Sequence, residues 1–136
     1  MDFHPPGEAA LAWAARLVQQ VGGTLEVLHV VPRLHQLDPF FRAGSLPAAT
    51  VAGIRARARA RVADLLKRRV HYRVHVIEGE PAACIVERAV GLRVELIVIG
   101  TRARRGAAQF LFGSVAQKVI QHAPVPVVTI RCPRPG

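Results

Sequence analysis

The sequence has few cysteines, no long apolar run and no leader-like opening, and each shortage excludes a class of protein. Cys84 and Cys132 lie far apart and in no CxxC pair, so neither a disulfide framework nor a zinc site can be built from them. No uninterrupted apolar stretch approaches the ~18 residues that a transmembrane helix requires. The chain also opens without the basic and apolar segments of a secretory signal. We therefore expect a cytoplasmic protein that does not act in a membrane.

Acidic residues are scarce relative to basic ones. The chain has 9 Asp and Glu against 19 Lys and Arg, which gives a formal net charge of +10. Such a balance is one sign of a polyanionic partner. The basic residues are spread along the chain, however, and an aromatic content of 5% offers no platform for stacking bases. Nucleic-acid binding is therefore the less favoured interpretation.

Apolar residues, by contrast, are plentiful, at 51% of 136 residues. This is enough for the core of one domain, spanning 1–136 with a tail from about 132, and it excludes a disordered chain. Helical periodicity or helix boundary signals mark 7–21, 48–69, 81–91 and 114–122. Patterns typical of strands mark 24–31, 70–77, 94–99 and 125–130. The alternation predicts an α/β fold, a single doubly wound open parallel sheet with helices on both faces.

The loop after strand 94–99 is the best candidate for a ligand site, because open α/β sheets bind ligands at the carboxyl ends of their strands. Gly113 and Ser114 begin the next helix, whose free N–H groups and positive dipole end suit a phosphate. Three arginines add positive charge to the same loop: Arg102, Arg104 and Arg105. By spacing alone, a simple turn and helix cap is the favoured interpretation of Gly113 and Ser114, and a phosphate site is the alternative.

The same segment carries a resemblance. Gly100-x2-Ala103-x9-Gly113-Ser114, followed by the APVPV run of 123–127, resembles the universal stress protein family, whose ATP-binding branch carries G-x2-G-x9-G-[S/T]. The opening at 2–11, the 78–81 turn and the VELIVIGT strand are also similar to that family. The resemblance implies a five-stranded parallel sheet of order 3-2-1-4-5 and a homodimer formed through the last strand.

The resemblance also implies an adenine-nucleotide site for ATP, with or without Mg²⁺, in a regulatory stress-response module. Asp2 corresponds to the acidic residue near the adenosine, and Val30 to the residue whose backbone meets the adenine. Six further positions would line the ribose and phosphates: Gly100, Arg102, Ala103, Gly113, Ser114 and Val115. We expect neither catalytic residues nor a bound structural metal, so the chain is not expected to be an enzyme beyond incidental ATP hydrolysis.

Some positions depart from the family pattern. Ala103 stands where the motif has glycine, and Arg102 where histidine is frequent. His4 and Gly7 stand where serine is usual. The alternative interpretation is therefore the family's other branch, a dimeric interaction protein that binds no nucleotide.

Two expectations concern strand edges. The family's sheet has a buried first strand directly before the residue numbered Asp2 here, between 24–31 and 94–99. Without it those strands would have unpaired central edges, so we expect an upstream segment, or another segment or subunit, to fill the place. Strand 125–130 is apolar and near the chain end, so we expect it to pair with a second copy despite Pro126.

Overall fold

The computed structural model describes residues 1, 3–33, 44–67, 69–102 and 113–132, without the side chain of Arg102. Helices and strands alternate strictly through these residues, as the sequence predicts. The elements are α1 Pro5–Val21, β1 Leu25–Val31, α2 Ala48–Leu66, β2 Tyr72–Glu78, α3 Pro81–Gly91, β3 Ile97–Arg102, α4 Ser114–His122 and β4 Val127–Cys132. The prediction of an α/β fold is confirmed.

α3 and α4 have the predicted bounds, whereas α1 begins at Pro5 rather than Gly7 and α2 ends at Leu66 rather than Arg69. α1 begins at Pro5, where a missing N–H leaves no helical hydrogen bond unmade, and is followed by Gly22 at a φ of 80°. α3 likewise begins at Pro81. The Glu80 side chain caps α3 by accepting a hydrogen bond from the backbone N–H of Ala83 at 2.8 Å.

The strands pair in parallel, in two separate pairs. β1 pairs with β2 from Leu25 opposite Tyr72 onward, and β3 pairs with β4 from Ile97 opposite Val127 onward. Within the described residues these are two two-stranded sheets rather than the single sheet predicted. Both pairings are the ones that the family order implies on either side of its first strand. The expectation that another segment fills that place stays a prediction.

The predicted bounds of the last two strands were wrong. Both strands begin and end later than predicted, so that Gly100 lies inside β3 rather than in the following loop. The Val94 N–H donates to the Ala89 carbonyl at 3.1 Å, so Val94 belongs to the turn after α3. Pro126 precedes β4, and its carbonyl accepts a hydrogen bond from the Ile97 N–H at 3.0 Å. Its missing donor therefore interrupts no rung of the described ladder.

Apolar side chains form cores on the helix-covered faces of the sheets. The first, here the α1–α2 core, comprises Leu11, Ala15, Val27, Val62 and Leu66. The second, the α3–α4 core, has as its buried members Ala82, Ala89, Ile97 and Val119, with Ile99 and Val115 packed against them. Val62 and Val119 have no exposed surface. The α3–α4 core fixes α4 over β3, which positions the candidate site.

Candidate functional site

The structure places most of the predicted site residues on two elements. Gly100 and Arg102 lie near the carboxyl end of β3, and Gly113, Ser114 and Val115 form the start of α4. Val115 and Ile99 of β3 pack against the same core, so the two groups are neighbours. Val30 lies in β1, on the other sheet. Asp2 and Ala103, like Arg104 and Arg105, lie outside the described residues.

Within the described residues, the start of α4 has no side-chain cap. Gly113 precedes the helix with extended backbone (φ −66°, ψ 160°), and no side chain caps it. The first helical bond runs from the Gln117 N–H to the Gly113 carbonyl at 3.0 Å, which leaves the N–H groups of the first turn without partners inside the helix. A Cβ placed on Gly113 would meet no atom within 4 Å. The arrangement offers backbone N–H donors at the start of α4.

Gly100 of β3 lies close to the backbone at the start of α1. A Cβ built on Gly100 would overlap the backbone carbonyl of Pro6 and come within 2.9 Å of the Gly7 nitrogen. The close approach at Gly100 therefore comes from the first turn of α1. The sequence suggests glycine here as part of a ligand site. The structure adds a second reason for glycine, which is the close packing of α1 against β3.

The residues ahead of α1 contact β1. The amino group of Met1 donates to the Leu28 carbonyl, and His29 Nδ1 donates to the Met1 carbonyl. The Phe3 ring lies 4.8 Å from the His29 ring, centroid to centroid. His29 is thus a structural residue of β1, and it holds the chain ahead of α1 against that strand.

Thr101 is a residue that the sequence analysis missed. Its side chain is only 3% exposed, and its hydroxyl is a buried polar atom without a hydrogen-bond partner among the described residues. Within a β-branched strand a threonine is indistinguishable by pattern from an ordinary strand residue. Only the burial of its hydroxyl distinguishes it.

An ion pair joins the two helices at this edge. Lys118 Nζ of α4 lies 3.4 Å from Glu80 Oε1, next to the cap of α3. The hydrogen bond from the Ala83 N–H is the main reason that the pKa of Glu80 is lowered, and Lys118 adds to it. Because both side chains are well exposed, the pair orients the helices more than it stabilises the fold.

His75 of β2 is paired with a carboxylate of the neighbouring strand β1. His75 Nε2 lies 2.7 Å from Glu26 Oε2, and Arg73 donates to the other oxygen at 2.8 Å. Burial alone would raise the pKa of Glu26, but the hydrogen bonds from His75 and Arg73 outweigh it and lower that pKa. In the described part of the chain, no three His, Cys, Asp or Glu side chains lie close enough to hold a metal ion.

Cys84 of α3 is a buried residue, at 9% exposure. Burial raises the pKa of its thiol, and Glu87 and Glu80 raise it further. A thiol of raised pKa is a weak nucleophile, so Cys84 is a packing residue.

Comparison with known proteins identifies the family of this chain. The family model of the universal stress protein family matches residues 1–131. The chain belongs to the universal stress protein family. A universal stress protein of Thermus aquaticus is 39% identical over 56 residues, which are 41% of this chain and 41% of that relative. The matched region thus spans less than half of that relative's length.

Solved structures agree with this fold along nearly the whole chain. A universal stress protein of Archaeoglobus fulgidus in complex with dAMP has a TM-score of 0.70 and 22% identity, covering 96% of this chain and 91% of that one. A universal stress protein in complex with cAMP has a TM-score of 0.67 and 18% identity, covering 96% and 91%. At these identities the likeness shows the fold. Among the described helices, none is long and apolar enough to cross a membrane.

Proposed function

We propose that this universal stress protein binds ATP where β3 ends and α4 begins, and that it acts as a regulatory module in the cytoplasm. The observation that carries the proposal is the uncapped start of α4, open at Gly113 and framed by the family's glycine spacing. The dAMP and cAMP complexes of similar proteins support an adenine nucleotide as the ligand. In this proposal Asp2 and Val30 lie at the adenosine, and Mg²⁺ accompanies the phosphates.

The balance of energies favours weak but measurable binding. Each hydrogen bond from the start of α4 to a charged phosphate contributes about 1.5–3 kcal/mol. Opposing this, Ala103 replaces a motif glycine, and alanine costs about 1–2 kcal/mol wherever a site requires a positive φ. Such a penalty weakens affinity roughly five- to thirtyfold without abolishing binding.

The test is titration calorimetry with ATP–Mg and with AMP. We expect heat with both nucleotides and tighter binding of ATP, because it presents more phosphate oxygens. Ala103→Gly is expected to tighten ATP binding roughly tenfold. Absence of heat at millimolar ATP–Mg, for the unaltered chain and for Ala103→Gly alike, would place the protein in the non-binding branch.

We also propose a homodimer formed through β4. In the described part of the chain β4 pairs only with β3, so its other edge is open. Val127, Val128 and Ile130 are partly buried and apolar, and open apolar edges associate. Light scattering at micromolar concentration is expected to give twice the chain mass of 14.8 kDa. A monomer, with and without nucleotide, would refute the dimer and leave the nucleotide proposal standing.

A further inference from the structure

The Thr101 hydroxyl lacks the partner that a buried polar group needs. Nearly all buried hydroxyls in proteins are hydrogen-bonded, because one without a partner destabilises the fold. Thr101 is 3% exposed and has no partner within the described residues. Valine has the same shape without the hydroxyl, so packing alone would favour valine at this position.

The position of Thr101 indicates where its partner comes from. Side chains alternate along a strand, so Thr101 shares a face with Ile99 and Ile97, which pack in the α3–α4 core. Because α4 connects two parallel strands, it runs back along β3, and its first turn lies at the carboxyl end of that strand. The Thr101 side chain therefore lies under the first turn of α4.

Two independent observations thus meet at this point. One is the open helix start, with N–H groups that have no partner inside the helix. The other is the buried hydroxyl below it. Donors from the helix and from the strand thus lie at the same end of the sheet, an arrangement that suits an anion with several acceptor oxygens.

We propose that Thr101 binds the nucleotide directly, its hydroxyl donating a hydrogen bond to a phosphate oxygen held at the start of α4. This inference rests on the proposed function and extends the site to a residue outside the family's glycine and serine positions. Because the hydroxyl belongs to β3, a phosphate oxygen must be seated against that strand to accept from it. A phosphate contacting only the exposed Ser114 would not reach it.

The test compares Thr101→Val with Thr101→Ser. Valine keeps the shape and removes the hydroxyl, so the free protein is expected to melt about 2–5 °C higher, while ATP affinity falls about tenfold. Serine keeps the hydroxyl and removes a buried methyl, so the free protein is expected to melt lower, while ATP affinity stays within about threefold. Valine is therefore expected to raise stability and lower affinity, whereas serine is expected to lower stability and leave affinity nearly unchanged.

Adenosine, which has no phosphate, separates this contact from a general change of the site. We expect Thr101→Val and the unaltered chain to bind adenosine equally. Three results would each overturn the role of Thr101. They are an ATP affinity of Thr101→Val equal to that of the unaltered chain, a lower melting temperature of free Thr101→Val, and a loss of adenosine affinity in Thr101→Val as large as its loss of ATP affinity. If the unaltered chain binds no nucleotide at all, the proposed function fails as well, and that result is distinct from the other three.

Discussion

Gly100→Ala is expected to destabilise the fold by about 3 kcal/mol, towards the upper end of the range for overpacked sites. The new Cβ would overlap the Pro6 carbonyl and press on the Gly7 nitrogen. Both are backbone atoms at the start of α1, so no side chain can rotate away to make room. Either α1 must shift from β3 or the strand must bend, and both disturb packing. Urea denaturation of the two chains measures the difference in the free energy of unfolding.

Gly53→Ala is the matched control, because it is the same substitution in open surroundings. Gly53 lies within α2, where a Cβ would meet no atom within 4 Å. Alanine is a better helix former than glycine, so the free energy of unfolding of this variant is expected to rise by about 0.5–1 kcal/mol. If Gly100→Ala instead unfolds within about 0.5 kcal/mol of the unaltered chain, α1 does not approach β3 as closely as the structure has it.

The fold could be predicted because its signals are local. Apolar spacing along α1, prolines at the starts of α1 and α3, and β-branched runs along the strands depend only on neighbouring residues. The pairing of β1 with β2 and of β3 with β4 also follows from the family pattern. These features would survive most changes elsewhere in the chain.

What could not be predicted depends on contacts between distant segments. The bounds of β3 are set by its ladder with β4, whose last pair is Arg102 opposite Cys132. The apolar run that begins at Val94 does not set them. The need for glycine at position 100 comes from Pro6, far away in sequence. The unpartnered hydroxyl of Thr101 is visible only once burial is known. Spacing found the glycines of the site but could not say what each one touches.

Gly113→Val is expected to reduce ATP affinity at least thirtyfold, which corresponds to about 2 kcal/mol. The valine side chain would occupy the open space in front of the first turn of α4, where the phosphates are proposed to lie. The backbone at Gly113 has a φ of −66° and extended ψ, which valine adopts without strain. The fold is therefore expected to survive with a loss of about 1 kcal/mol from the poorer helix cap.

Gly113→Ala is the graded control for this prediction. Its single methyl group fills less of the same space, so it is expected to lower ATP affinity only a few fold. Far-ultraviolet circular dichroism and melting curves establish that both variants fold, and calorimetry then measures ATP binding. A steady fall in affinity from glycine to alanine to valine, with the fold intact, supports a phosphate seated on the start of α4. If folded Gly113→Val binds ATP within about threefold of the unaltered chain, the phosphates lie elsewhere and Thr101 loses its proposed ligand.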